Sequence, residues 1–454
     1  MDNPQYAKFK RCQEWYCIDP DFRARMEDDP RQALASLGFG EALDAVPVRR
    51  AIRWILFRER GEDDPLKNPY VLAAQQREPL LLAHLQRCHS REGYGSEKLF
   101  AYELAAQARC RMESRLVRQN QFIYYYPFAM ELSKGCSVQC SFCGFAAEPH
   151  QGDFRYTPEN RDLFRGVIQR AFGYFGPILG CCPPYFATEP FDNPDYEKFM
   201  ADFRQITGLL PQTTTAVANR DPQRLRDWMA AVGPQGLEEH AAVRISIRSL
   251  GQFKKIAALF TPEELVNVEL VANNPESLHR YSDSGRAAHH QVGSRAASRY
   301  SICCLSGMKV NFVERSVTFL EPELPDERYP LGYSVKEVRH FKTVEEFSKI
   351  LEDFDRLYVH ARLPRELPLY FNQNVTIRDS EDVYLFLGDD CGYRIGKNPF
   401  TRKIVEGILE NRSFAEIISR FSVTPEDSQR LYAAFQELFA RGYLRAGKPI
   451  TTQH

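Results

Sequence analysis

The sequence lacks a membrane span, a targeting segment and a surplus of either charge. Its 454 residues contain no run near the roughly 18 uninterrupted apolar residues of a membrane helix, and residues 1–17 show no basic segment followed by an apolar stretch. Lys and Arg number 59 against 60 Asp and Glu, so no global basic field is available to bind polyphosphate. These absences predict a cytoplasmic protein with no membrane partner, and they make nucleic acid an unfavoured ligand.

Internal repeats and low-complexity segments are also missing. Hydrophobic residues make up 43% of the chain and aromatic residues 12%, which is enough apolar material for a buried core and excludes a disordered or fibrous chain. Because domains usually contain about 100–200 residues, this length predicts two or three packed units.

The composition and periodicity of the sequence change along the chain, and these changes predict an α/β protein of four segments. Residues 1–120 are predicted to form a helical region, in which Asp19 caps a helix that begins at Pro20. Residues 121–322 alternate β-branched and aromatic runs with helices, and about six such repeats predict a partial, TIM-like (β/α)6 barrel. Residues 323–380 connect this segment to a winged-helix-like module over 381–454.

The patterns also place individual elements. In the second segment, strands are predicted at 128–132, 178–179, 213–217, 243–247, 266–271 and 308–313, the last in a hairpin with 316–320, and helices at 161–175, 196–206, 223–231 and 253–259. In the module, strands are predicted at 383–387 and 392–395, and helices at 401–409, at 413–421 and after Thr424.

The spacing of the cysteines indicates metal chemistry. Of twelve cysteines, only Cys136, Cys140 and Cys143 form a compact set, in a loop that leaves a predicted strand. Three neighbouring thiolates suit one face of an iron–sulfur cube, and without a fourth cysteine nearby one iron is left open for another ligand. Zinc is the alternative, but structural zinc usually takes four ligands in paired motifs, and no second CxxC pair is present.

The CxxxCxxC spacing, with Phe142 before the last cysteine, resembles the radical S-adenosylmethionine (SAM) superfamily. The resemblance implies one [4Fe–4S] cluster on Cys136, Cys140 and Cys143, with SAM bound at the open iron and Phe142 beside it. It implies that reductive cleavage of SAM gives a 5′-deoxyadenosyl radical, which abstracts hydrogen from the substrate.

The same resemblance suggests further SAM contacts. Thr188 and Glu189 stand where the family carries a Gly-Gly-Glu-type run, of which only the acid is kept here. Asn219, Ser246 and Arg248 stand where relatives contact the ribose and carboxylate. A polar residue at a strand end without any cofactor contact is the alternative at each position, because loops at the carboxyl ends of strands are polar anyway.

Three segments together resemble one particular group within this superfamily. The sequences around 136–147, 301–307 and Cys391 resemble the proteusin-type peptide epimerases, of the polytheonamide-pathway kind. This resemblance implies an isomerase that converts L- to D-residues in a ribosomally made precursor peptide. It also implies a leader, of the nitrile-hydratase-like type, and an electron donor such as flavodoxin or ferredoxin.

Inversion of a Cα centre needs a hydrogen donor on the face opposite to the abstraction, and a cysteine S–H can supply it without net oxidation. The resemblance maps this donor to Cys391, which lies beside Gly392 in a predicted turn, and an idle turn cysteine is the alternative. Cys303 and Cys304 are rival donors, although adjacent cysteines in such a run also suit buried strand packing.

Two other functions stay open. A radical SAM enzyme that forms a thioether, carbon–carbon or C-methyl bond would change the mass of its product. A non-catalytic winged-helix protein with a structural metal would not cleave SAM. The module over 381–448 resembles leader-recognition domains, in which a leader adds a strand to a sheet edge. A DNA-binding role is disfavoured because Glu426, Asp427 and Glu437 on its last helix would meet phosphate unfavourably.

The segment 19–39 itself resembles the nitrile-hydratase-like leader segments of such precursors. One hypothesis is that it occupies or shapes the leader groove. The alternative is an ordinary capped helix.

The Cys391→Ala variant tests the donor assignment. We expect it to cleave SAM and to lose productive inversion, because abstraction does not need the thiol but hydrogen return does. Quantifying 5′-deoxyadenosine and the D-residue content of the peptide checks this. Inversion at the wild-type level would move the donor to another residue.

Overall fold

The fold is mixed α/β with open sheets. The computed structural model describes residues 4–57, 59, 64, 67–113, 125–240, 242–278, 282–290, 301–372, 375–388, 392–420 and 423–447. Among the helices in these ranges, none is long and apolar enough to cross a membrane.

The helices are α1 (Pro4–Ile18), α2 (Pro20–Asp28), α3 (Pro30–Ser36), α4 (Ala45–Phe57), α5 (Pro69–Cys88), α6 (Glu97–Glu113), α7 (Pro158–Phe175), α8 (Tyr196–Thr207), α9 (Pro222–His240), α10 (Leu250–Leu259), α11 (Val344–Leu357), α12 (Pro399–Leu409), α13 (Phe414–Ser419) and α14 (Pro425–Ala440). The strands are β1 (Tyr126–Glu131), β2 (Ser133–Lys134), β3 (Gly152–Asp153), β4 (Thr213–Thr215), β5 (Val243–Ile247), β6 (Glu269–Ala272), β7 (Leu305–Asn311), β8 (Ser316–Pro322), β9 (Tyr333–His340), β10 (Leu369–Phe371), β11 (Thr376–Asp379), β12 (Val383–Leu387), β13 (Gly392–Gly396) and β14 (Leu444–Ala446).

Helix α2 begins where the sequence predicts. The Asp19 carboxylate accepts hydrogen bonds from the N–H groups of Asp21 and Phe22 at 2.9 and 3.2 Å, and Pro20 fills the first turn of α2. Helix α1 then packs on the β-containing part of the chain, because Lys10 Nζ donates to the carbonyls of Leu265 and Val268 at 3.0 and 2.8 Å.

Two sheets carry the centre of the molecule. The central sheet has the order β1-β7-β8-β9, in which β1 and β7 are parallel and the other pairs antiparallel. A parallel sheet has the order β4-β5-β6. The predicted hairpin of 308–313 with 316–320 is confirmed as the β7–β8 pair, and β5 matches its predicted bounds.

The strand predicted at 178–179 is wrong. Residues Pro177–Cys181 form a 3₁₀ helix instead. Gly176 precedes it with φ 81°, a conformation that turns the chain out of an extended path. Pro183 and Pro184 follow it, and neither has the N–H that a sheet ladder needs. Met130 N donates to Pro183 O at 3.2 Å, which joins this segment to β1.

The C-terminal module begins before the predicted boundary at 381, because Leu363 and Leu369 are part of its core. It contains the predicted β12–β13 hairpin and three helices, together with strands that sequence patterns did not predict. Strand β11 completes the sheet β11-β12-β13, and β10 pairs with β14. Asn398 and Ser413 make reciprocal capping boxes at α12 and α13, and Thr424 caps α14 as predicted.

A buried ionic network joins this module to the central sheet. Arg445 on β14 donates two bonds to the Glu323 carboxylate, at 2.8 and 2.9 Å, and a further bond to Glu321 on β8. Glu321 also pairs with Arg109 at 3.1 Å and with Lys336 at 2.9 Å. Burial alone would raise the pKa of Glu321, but these cations hold it well below the usual range.

This network predicts a pH-dependent contribution to stability. Because the pKa of Glu321 is depressed in the folded chain, its contribution is complete above the unfolded pKa of about 4.3 and is lost as pH falls towards the folded value. At pH 7, Glu321→Gln should lower the free energy of unfolding by roughly 3–5 kcal/mol, since it leaves Arg109 buried and unpaired.

Urea unfolding followed by circular dichroism at pH 7 and at pH 3.5 to 4 checks this. The difference in free energy of unfolding between the variant and the wild-type protein should be smaller in acid, because the wild-type protein then loses the contribution of ionised Glu321. The matched control is Glu426→Gln, which removes an exposed pair with Arg430 and should leave stability unchanged. An equal deficit at both pH values would contradict the assignment.

Candidate metal centre

The cysteine loop is closed at its base by the chain itself. Strands β2 and β3 pair Ser133 with Asp153 and Lys134 with Gly152, and Cys136 N donates to Glu148 O at 2.9 Å. Gly135 has φ 72°, and a Cβ at this position would lie 2.2 Å from Pro149 O. Glycine is therefore required where the two sides of the loop meet.

Two polar side chains fix the path of the loop from inside and outside. Gln139 Nε2 lies within 2.8–3.1 Å of the carbonyl oxygens of Cys136, Ala147 and Glu148. Arg286 donates from Nε to Cys140 O and from Nη1 to Ala147 O, both at 2.9 Å. These bonds satisfy carbonyls that a short loop cannot pair with each other.

The three thiols differ in their surroundings. Burial raises the pKa of Cys136, while the N–H groups of Val138 and Gln139 lower it by donating towards the sulfur. Burial raises the pKa of Cys140 to about 11, and the Arg248 guanidinium acts in the opposite direction. Ala147 N donates to Cys143 Sγ at 3.5 Å. Backbone N–H groups and a cation thus face sulfur atoms and act against the effect of burial, which still leaves the pKa of Cys136 and Cys140 raised.

These residues fit an iron–sulfur group in donor chemistry. The loop offers three soft ligands, with N–H donors for the sulfurs, and no fourth cysteine stands near them in the sequence. In the part of the chain that the structure describes, no three His, Cys, Asp or Glu side chains are grouped so that they could hold a metal ion. The thiols are therefore neighbours on one organised loop and are not drawn together as a ligand set.

Glu131 forms the wall next to this loop. Its carboxylate accepts from Ala187 N at 2.8 Å and from Asn311 Nδ2 at 3.0 Å, and Lys309 Nζ lies 3.2 Å away. Glu131 is only 2% exposed. One buried carboxylate thus joins the end of β1, the segment before Glu189 and the end of β7.

Glu189, Asn219 and Arg248 are brought into one hydrogen-bonded frame. Glu189 accepts from Ala216 N at 2.8 Å. Gln252 Nε2 donates to Ala216 O at 2.7 Å and lies 3.3 Å from Asn219 Oδ1, while Gln252 Oε1 accepts from Arg248 N at 2.7 Å. Burial raises the pKa of Glu189 to about 7, against the effect of its N–H donors.

The remaining predicted contacts are placed less specifically. Thr188 and Ser246 are half-buried, the latter on β5 opposite Val271, and Phe142 is half-buried in the cysteine loop. Arg248 is distinguished among the predicted contacts because its Nε is buried and has no hydrogen-bond partner among the described residues. A buried guanidinium N–H without a partner is costly, and an anionic ligand would satisfy it.

The two alternative hydrogen donors, Cys303 and Cys304, lie in different surroundings. Cys303 is 3% exposed and donates from Sγ to Leu305 O at 3.5 Å. It packs in a small apolar cluster with Phe186 and Tyr333. Burial raises the pKa of Tyr333, and Cys303 and Cys143 both add to this rise. Cys303 thus lies on the side of the cysteine loop.

Cys304 lies elsewhere. Its carbonyl accepts from Tyr126 N at 2.7 Å. Burial raises the pKa of its thiol, and the Arg244 guanidinium lowers it. Cys391 lies outside the described residues, so its position relative to the loop stays a prediction.

Several residues that build the site have no signal in the local sequence. Arg286 and the pair Lys309–Asn311 are each more than thirty positions from the loop or strand they support, and so is Gln252 from Ala216 and Asn219, although its bond with Arg248 is local. Gln139 is the exception, because it lies inside the CxxxCxxC motif and contacts the carbonyl of Cys136, which is close to it in sequence.

The chain is similar in sequence to another protein over most of its length. It is 30% identical over 401 residues to the uncharacterized protein y4wI of Sinorhizobium fredii, and the match covers 85% of this chain and 75% of that protein. The chain therefore belongs to the same protein family as y4wI. No family model matches the chain, and no solved structure matches it.

The Cys140→Ala variant tests the metal centre. After anaerobic reconstitution with iron and sulfide, we expect it to lose the brown colour and iron content of the wild-type protein and to cleave no SAM, because two thiolates do not hold a cube. Cys17→Ala is the matched control, since Cys17 lies on α1 outside the loop. Iron retained by Cys140→Ala, or zinc in the wild-type protein, would contradict the proposed ligand set.

Proposed function

We propose that this protein is a radical SAM peptide epimerase that converts L- to D-residues in a ribosomally synthesised precursor. The observation that carries the proposal is the closed three-cysteine loop, with N–H donors aimed at its sulfurs. Beside Cys140 lies Arg248, whose buried Nε has no hydrogen-bond partner among the described residues. An open iron with a buried cation nearby suits an amino acid carboxylate such as that of SAM.

The bound cluster and SAM would supply a 5′-deoxyadenosyl radical for hydrogen abstraction. The residues of the chain hold the reactants. Arg248 would pair with the SAM carboxylate, and Glu189, whose pKa is about 7, would accept from its amino group. Gln252 keeps these residues and Asn219 in register through hydrogen bonds at 2.7–3.3 Å.

The return of hydrogen requires a thiol on the other face of the substrate radical. Cys391 is the proposed donor. Cys303 is the second candidate, and the observation in its favour is its place in the apolar cluster with Tyr333, which is next to Cys143. Each inversion would give the thiol's hydrogen atom to Cα and leave a thiyl radical, which must take up one electron from the electron donor and one proton from solvent before the next turnover.

A partial barrel and a leader-recognition module complete the proposal. Parallel pairing in β1–β7 and in β4-β5-β6 supports a TIM-like arrangement around the loop, although the two sheets are separate. The order of three antiparallel strands followed by three helices in the module supports leader recognition by strand addition.

The second candidate is a radical SAM enzyme that forms a new bond in a peptide. The same loop and the same SAM contacts would serve it. The two candidates differ in the fate of the substrate radical and therefore in product mass, which inversion leaves unchanged in ordinary water.

Solvent deuterium separates the candidates. Reconstituted, reduced protein is incubated in deuterated water with SAM and a leader-bearing precursor, and residue chirality and carbon-bound deuterium are measured. Because an S–H exchanges with solvent, we expect one deuterium at each inverted centre. SAM cleavage with an altered precursor mass and no D-residues would favour bond formation.

A further inference from the structure

The edge strand β9 leads away from the cysteine loop and has a free side. It is the last strand of the central sheet, and among the described strands none pairs with its outer edge. Its first residue, Tyr333, lies against Phe186 with ring centroids 5.6 Å apart and against Phe145 at 6.3 Å. Phe145 follows Cys143 by two residues, so β9 starts beside the candidate metal centre.

A β-bulge places two apolar side chains of β9 on one face. Val335 is opposite Leu320 and Glu337 is opposite Phe319, so Lys336 is the extra residue. Strand alternation then puts Val338 on the same face as Val335 and Tyr333. Without the bulge, the two valines would point to opposite faces of the sheet.

This face is the one that carries the metal-centre wall. Val338 is opposite Thr318, Thr318 is opposite Lys309, and Lys309 is opposite Ala129. Lys309 contacts Glu131 from this face. A row of side chains therefore crosses the sheet from β1 to the exposed edge.

The charged residues of β9 are engaged by the protein itself. Lys336 pairs with Glu321 at 2.9 Å, and Arg339 pairs with Glu337 at 2.8 Å and with Asp353 of α11 at 2.5 Å. Edge strands are usually protected from pairing with other chains by free charges or proline. On the face that carries Lys309, β9 instead presents Val335 and Val338, which are 47 and 52% exposed.

We propose that the free edge of β9 binds the modified region of the peptide substrate, as an extended strand with apolar side chains at alternate positions. The unpaired backbone N–H and C=O groups of the edge select an extended polypeptide over other ligands. Val335 and Val338 bind its apolar side chains, and Tyr333 directs it towards the cysteine loop. The proposal rests on the proposed function for the identity of the substrate.

Binding is tested without chemistry, on full-length reconstituted protein in the absence of reductant. The probe is a fluorescein-labelled peptide of alternating threonine and valine, of the same eight-residue length as β9 and flanked by lysines for solubility. Fluorescence anisotropy gives its Kd, and hydrogen–deuterium exchange locates it. We expect slower amide exchange over 333–340 when the probe is bound.

Two variants and one control make the test specific. Val335→Glu and Val338→Glu should each weaken binding by about tenfold, because a charge replaces an apolar contact. The control Leu259→Glu adds the same charge at a comparably exposed apolar residue at the end of α10 and should leave the Kd unchanged. Peptide-independent SAM cleavage should be equal in all three variants, which shows that they fold.

Three results would overturn the proposal: no binding by the wild-type protein, protection over 376–396 in place of 333–340, or protection of 333–340 by a second copy that rises with protein concentration. The reaction is scored separately with a leader-bearing precursor. D-residues formed without protection of β9 would leave the epimerase proposal standing and overturn this one. Protection of β9 without D-residues would leave this proposal standing and overturn the epimerase proposal.

Discussion

The arrangement around the cysteine loop depends on the buried carboxylate of Glu131. This carboxylate accepts hydrogen bonds from Ala187 N and Asn311 and pairs with Lys309, so it joins three chain segments that are distant in sequence. A carboxylate that is 2% exposed is stable in this position only while these partners remain. The position of the loop relative to Glu189 and to β7 therefore follows from one set of bonds.

Features with local causes could be predicted from the sequence. The caps at Asp19 and Thr424 and the β12–β13 hairpin need only neighbouring residues, and the structure has them. The segment 178–179 has strand-like composition, but Gly176 and the two prolines at 183–184 prevent a ladder there. Strand β9 escaped prediction because a bulge and an exposed edge disrupt its alternation of polar and apolar residues.

In the candidate site, too, features with local causes could be predicted from the sequence and long-range contacts could not. The spacing of Cys136, Cys140 and Cys143 is a local pattern that indicates soft metal ligands in any fold. Arg286 contributes through contacts that exist only after the chain has folded, and so does Gln252 in its bonds to Ala216 and Asn219, whereas its bond with Arg248 N spans four positions. Sequence patterns thus identify the donors, and tertiary structure identifies the residues that hold them in place.

The bond between Arg445 and the pair Glu321–Glu323 has a consequence for the order of events on a long peptide. It fixes the C-terminal module to the strand next to β9, so the module and the cysteine loop keep a constant separation. If a peptide is anchored on the module as we propose, it would reach β9 at an effective concentration set by the length of chain between its two bound parts. Residues at one distance from the anchor would be presented most often, and the fixed separation would act as a ruler along the peptide.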